Sequence, residues 1–216
     1  MYLYTALEMS ECPDSERNLL PRGKLISNTK ETTTMADPDE LQFLQDSADD
    51  WNMHRREQQC MHPNLSGANL SAAELPNADL SGANLTRADL RAIDLTGSNL
   101  ANADLTEANL SGADLLNADL TGANLTRADL TGADLTEAIA TKAIMTNATL
   151  TGAVLAGTNL ANVDLTNAIL FKADLSGANL TNATLLQTDL TEANLANADL
   201  SGTDLTGVLG LNLDNA

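Results

Sequence analysis

SGANLTRADLRAIDLTGSNLANADLTEANLSGADLLNADL, residues 81–120, carries a leucine at every fifth position. The series extends outward in both directions, from Leu65 to Leu205. Only Ala140 and Met145 interrupt it, and both are apolar. With the central Leu at position i, a small residue, usually Ala, stands at i−2, as at Ala68, Ala73, Ala78 and Ala83. Asp or Asn fills most i−1 positions, and Ser or Thr most i+1 positions. Gly or Asn often follows at i+2, as at Gly82, Gly97, Asn102, Gly112 and Gly122.

A period of five excludes both straight elements. An α-helix turns about 100° per residue, so leucines five apart spiral around it and share no face. A straight strand alternates faces, so an odd period throws successive leucines to opposite sides. A chain that bends once in every unit gathers them. Positions i−2 and i then share the inward face of a short extended segment, i−1 points out, and i+1 with i+2 turn the corner.

The units GANLS (67–71), NADLS (77–81), GANLT (82–86), RADLR (87–91), NADLT (102–106), GADLL (112–116) and RADLT (127–131) resemble the pentapeptide-repeat family, whose unit is A-(D/N)-L-x-x. The resemblance covers Leu65 to Leu205. It implies an all-β fold, a right-handed quadrilateral β-solenoid with twenty residues per coil. The units centred on positions 70 to 205 then make about seven coils. At the usual strand spacing the rod is roughly 35 Å long.

Four segments follow. Residues 1–36 lack periodicity and are rich in Ser, Thr and charge, the composition of a disordered leader. Met35 opens MADPDELQFL in the manner of a natural start, which would leave the first 34 residues outside the native protein. Residues 37–60 read as an N-terminal capping helix running from 38 to 59. Asp37 caps it, Pro38 suits its first position and Glu40 completes a capping box. Leu41, Leu44, Ala48 and Trp51 fall on one face, ready to cover the open first coil. The stretch DDWNMHRREQQCMHPNLSGANL (49–70) also resembles the lead-in of many family members, where Trp-Asn and an Arg precede the first repeat. Residues 61–205 are the solenoid. Residues 206–216 leave the register, and Val208, Leu209, Leu211 and Leu213 are expected to close the last coil.

The formal net charge of −19 argues against direct binding to a phosphate backbone. Aromatic residues make up 2% of the chain, so the Leu column replaces an ordinary core. Cys12 and Cys60 read as free thiols of a reducing compartment. No apolar run reaches membrane-spanning length and residues 1–30 show no secretory pattern, so the expected setting is cytoplasmic, with no membrane partner. His54, Cys60 and His62 flank the helix-to-solenoid junction without a paired motif, and no metal site is read there. No nucleophile motif or phosphate-binding loop is present, so neither catalytic nor cofactor-binding residues are assigned and no enzyme is expected.

Two surface features remain. Residues twenty apart stack, so Glu74, Asp94, Asp114 and Asp134 form an acidic column that Val154 interrupts and Asp174 resumes. One reading is a solvated face. The other follows from the family resemblance, in which some members mimic DNA against DNA gyrase, though those relatives favour a central Phe that no unit here carries. The second feature is a belt in which Ile139, Ile144, Thr149 and Val154 replace Asp or Asn at i−1, with Ile169 and Phe171 on the next coil. Outward apolar residues mark an interaction surface, or else a more regular strand rung. The favoured function is a non-enzymatic scaffold presenting a rigid acidic surface to a protein partner. A homodimer through the C-terminal end or the belt stays open. The resemblance adds that such proteins abound in photosynthetic bacteria.

Overall fold

The computed structural model describes residues 36–58 and 62–212. The readings for the leader, Cys60 and Leu213 fall outside them.

A parallel bridge joins Asn64 to Asn84, and the same twenty-residue step repeats through Asp189 and Leu209. Four bridge columns result, beginning at Asn64, Asn69, Glu74 and Asp79. They are the four sides of a β-solenoid. Each side is a single bridging residue, not an extended strand, because a corner follows every Leu. The Asn64 column runs to Asp204 in seven steps of twenty, roughly 34 Å at normal strand spacing.

The backbone accounts for four of the five N–H groups in a unit. Leu90 donates forward to the Asn109 carbonyl at 2.8 Å, and Ala92 to Ser111 at 3.0 Å. Asn109 donates back to Ala88 at 2.9 Å, and Ala108 closes the corner on the Leu105 carbonyl at 3.0 Å. The remaining N–H, at i+1, is taken by the side chain at i−1. Asn84 Oδ1 accepts from the Thr86 N–H at 3.1 Å and from its hydroxyl at 2.8 Å. Asp104 does the same with Thr106, at 3.0 and 2.6 Å. Asp or Asn at i−1 followed by Ser or Thr is therefore a corner brace, an Asx turn repeated at each bend. Glu74 is the one glutamate at i−1, and Pro76, which has no N–H to satisfy, follows it.

Position i+2 takes positive φ throughout. Asn and Gly fit it easily, yet Arg87 (57°), Ala92 (51°) and Lys142 (59°) adopt it too. No β-branched residue stands there, in keeping with the steric cost of this region.

The inward column is dry. Leu80 through Leu135 have no exposed surface, and Ala140 and Met145 are equally buried where the Leu series breaks. Full burial of a Leu side chain stabilises by about 1.5–3 kcal/mol. Ser98, Thr158 and Thr188 replace Ala at i−2 and are also fully buried. Each hydroxyl donates to a Leu carbonyl on the coil before: Ser98 to Leu75 at 2.9 Å, Thr158 to Leu135 at 2.7 Å, Thr188 to Leu165 at 2.8 Å.

The segment expected to be one helix is two, α1 (Pro38–Asp46) and α2 (Ala48–Gln58). Ser47 makes the break. Its Oγ accepts from the Asp50 N–H at 3.0 Å and donates to the Asp50 carboxylate at 2.9 Å, capping α2. Leu44 and Trp51 are buried against the solenoid core, and Leu41, Phe43 and Ala48 are partly buried beside them. Asp37 caps α1 through the Glu40 N–H at 3.4 Å. The Glu40 carboxylate also crosses to the Asn64 N–H at 2.7 Å, a reach outside the expected capping box.

The C-terminal register and the place of Leu209 are corrected, while Val208 and Leu211 pack partly buried against the core. Residues 206–209 keep the register, with a corner at Thr206 and Gly207, Val208 half-buried, and Leu209 bridging Asp189. Leu209 faces outward and is 60% exposed, so it does not close the coil. Gly210 ends the series because it offers no side chain to the Leu site.

Candidate interaction surface

Ile139, Ile144, Thr149 and Val154 stand one on each of the four columns. Ile139, Ile144 and Val154 are 44%, 42% and 36% exposed. Thr149 is half-buried. They circle the rod, so a single flat partner cannot cover all four.

A smaller cluster does share one side. Ile169, 43% exposed, bridges Thr149 on the Asn69 column. Phe171 turns the next corner and its carbonyl accepts from the Gly152 N–H at 2.9 Å, which sets it above Thr151. Val154 begins the adjoining side. Phe171 is half-buried instead of fully outward, and Lys172 Nζ lies 4.9 Å from its ring centroid.

The belt also lacks the corner brace. Every described Asp or Asn at i−1 accepts the i+1 N–H. Among the described residues, the N–H groups of Thr141, Thr146, Thr151, Ala156 and Phe171 have no protein acceptor, and outside the belt the Leu186 N–H, after Thr184, lacks one as well. Apolar side chains thus sit beside open donors, a combination sequence reading missed because it took i−1 as merely solvated.

Glu74, Asp94, Asp114 and Asp134 do form one column, passing through Val154 to Asp174. Their carboxylates are not a free array. Asp94 braces Thr96 at 2.9 Å, Asp114 braces Leu116 at 3.0 Å and Asp134 braces Thr136 at 2.9 Å. A few charges elsewhere are paired. Arg87 Nε donates to Glu107 at 2.7 Å and Arg127 lies 3.5 Å from it, holding the Glu107 carboxyl below its ordinary range. Arg91 grips Asp89 with two bonds of 2.7 and 2.6 Å and lowers it likewise.

The junction residues serve packing. The His54 ring stacks on Phe43 with centroids 4.0 Å apart, and His62 Nδ1 lies 3.1 Å from the Gly82 carbonyl. Among the described residues, no three His, Cys, Asp or Glu side chains gather as a metal would need.

The family model for pentapeptide repeats matches in eight copies, over residues 64–102, 98–136, 128–167, 143–181 and 168–207. The chain belongs to the pentapeptide-repeat family, whose members form right-handed β-solenoids. A search of curated protein sequences returned no match. Among solved structures, the chain is similar to HetL, a pentapeptide repeat protein involved in heterocyst differentiation regulation from the cyanobacterium Nostoc sp. strain PCC 7120. Identity there is 36%, over 71% of this chain and 76% of that one, with a TM-score of 0.31. It is also similar to QnrB1, a plasmid-mediated fluoroquinolone resistance protein, at 24% identity over 67% of this chain and 78% of that one, with a TM-score of 0.48. A third is Rfr23 from the cyanobacterium Cyanothece 51142, at 25% identity over 73% and 96%, with a TM-score of 0.21.

Proposed function

We propose that the protein is a non-enzymatic scaffold of about seven coils that binds a protein partner at Ile169, Phe171, Thr149 and Val154. The carrying observation is that exposed apolar side chains and unbraced corner N–H groups coincide there, in a shell where every described Asp or Asn at i−1 braces its corner; the Leu186 N–H, after Thr184, is also open but has no exposed apolar residue at i−1. Such a patch offers hydrophobic contact with hydrogen-bond donors at its rim, the composition of a protein interface. Ile139 and Ile144 extend the belt to sides that a second partner or a second copy would use. The helices α1 and α2 cap the Asn64 and Asp79 edges of the first coil.

The DNA-mimic reading is weaker, because Val154 interrupts the acidic column and its aspartates are committed to their own corners. Among the described residues no helix is long and apolar enough to cross a membrane. Affinity capture from source lysate with the chain and its Ile169→Asp variant tests the proposal. A partner held by the first and lost by the second supports it, and identical capture refutes it. A gyrase supercoiling assay separates the alternative.

A further inference from the structure

The first coil has four outer edges, and the N-terminal helices dress only two of them. At Asn64, the Asp37 N–H donates to the carbonyl at 2.8 Å and Glu40 accepts from the N–H at 2.7 Å. At Asp79, the Trp51 indole N–H donates to the carbonyl at 2.7 Å and Asn52 Oδ1 accepts from the N–H at 2.7 Å. Both edges thus receive one donor and one acceptor, as a preceding coil would give them. Asn69 and Glu74 receive neither. Among the described residues their outward N–H and C=O groups have no protein partner, and both residues are exposed where Asn64 and Asp79 are half-buried.

A cleft of about 550 Å³ opens at this bare half of the edge, lined by Leu44, Ser47, Leu70, Ala73, Glu74 and Leu75. Leu44, Leu70, Ala73 and Leu75 give it apolar walls, Ser47, Asn69 and Ser71 line it with polar groups, and Glu74 adds a carboxylate. Glu74 is exposed, and Ser47, which lines the cleft, donates its hydroxyl to the Asp50 carboxylate at 2.9 Å. Arg91, above Ser71 on the next coil, is held by Asp89 and leaves that rim charge uncompensated.

We propose that the edge at Asn69 and Glu74 takes up an extended basic segment of a partner protein as an added strand. Main-chain bonds to the two bare edge positions supply the affinity, as in β-augmentation, and the cleft and rim set the preference. The segment bridges at two residues five apart, carries a small apolar side chain toward Leu70 and Leu75, and places Lys or Arg opposite Glu74. This surface lies at the end of the rod and is separate from the Ile169 patch, so either can fail without the other.

The test uses the full chain and the labelled peptide Lys-Ala-Lys-Leu-Ser-Gly-Ala-Lys-Leu-Thr, with its Glu-for-Lys counterpart as control. The expected result is saturable binding of the Lys peptide by anisotropy, and slowed amide exchange at Asn69 and Glu74 on its addition. Asn69→Pro removes one edge N–H, a change tolerated at a sheet edge, together with the brace on Ser71, whereas Glu74→Lys leaves both in place and reverses the charge. Each weakens the Lys peptide about tenfold, the scale of one lost main-chain bond or rim charge. Glu74→Lys keeps the test decisive if the Pro variant melts early. Absence of saturable binding, or binding that neither variant changes, overturns the proposal. So does slow exchange at Asn69 and Glu74 in the free chain, which would show the edge already filled.

Discussion

Trp51 donates its indole N–H to the Asp79 carbonyl at 2.7 Å, the place where the Leu amide of an earlier coil would sit. In the repeats the same acceptor role recurs at every step, as where Leu80 donates to Asn99 at 2.8 Å. Side chains of the helices thus imitate the ladder, and the Trp51 ring, with no exposed surface, caps the Leu column beneath. Trp51→Ala should destabilise by about 3–5 kcal/mol, and Trp51→Phe, which chiefly loses the hydrogen bond, by about 1 kcal/mol. Urea unfolding of the two variants checks the order.

The corner brace makes an asymmetric prediction. Asn124 Oδ1 accepts from the Thr126 N–H at 3.1 Å and its hydroxyl at 2.7 Å, so Asn124→Ala should cost about 1 kcal/mol. Ile144→Asn supplies the Thr146 N–H with the acceptor it lacks and should leave the rod as stable or slightly more so. A loss above about 1 kcal/mol at Ile144, judged against the same scale, would mean that the Ile packs for the fold and not for a partner.

Left-handed corners hold a reserve of stability. Ala92 has φ of 51°, where a Cβ is crowded. Ala92→Gly should raise stability by roughly 1 kcal/mol. Thermal melts would show it, and an unchanged or lower midpoint would contradict the strain.

Acid should remove part of the corner energy. Asp189, Asp199 and Asp204 are held below the ordinary carboxylate range, first by the side chains of Thr191, Ser201 and Thr206 and then by their N–H groups. A folded pKa below the unfolded value of about 3.9 means stabilisation above that pH, lost as pH falls through the depressed folded values. The triple variant with Asn at 189, 199 and 204 keeps the acceptor and does not titrate. It should be less stable than the parent near neutral pH, with the gap closing below about pH 3.9. A gap independent of pH would contradict this.

The architecture was legible because Leu65 to Leu205 recur with a period that only a bending chain can bury. The reason for Asp and Asn at i−1 was not, since a side chain bonding its own backbone two residues on looks, in sequence, like any solvated residue. The break at Ser47 carried a readable signal, Ser three residues before Asp50, but the longer apolar spacing from Leu41 to Trp51 masked it. Leu209 was misplaced because Gly210 removes the expected Leu while the backbone ladder, which needs no side chain, continues. Of the candidate surface, the belt was visible as a change in composition, whereas its division among four columns required the coil register.

The most direct test of the scaffold account uses substitutions that mend corners while erasing apolar surface. Ile169→Asn combined with Phe171→Thr gives the corner N–H an acceptor and restores the common i+1 residue. The expected result is an unchanged or higher melting temperature together with loss of a protein captured from source lysate by the parent chain. Capture of the same protein at the same yield by the stable variant would contradict it.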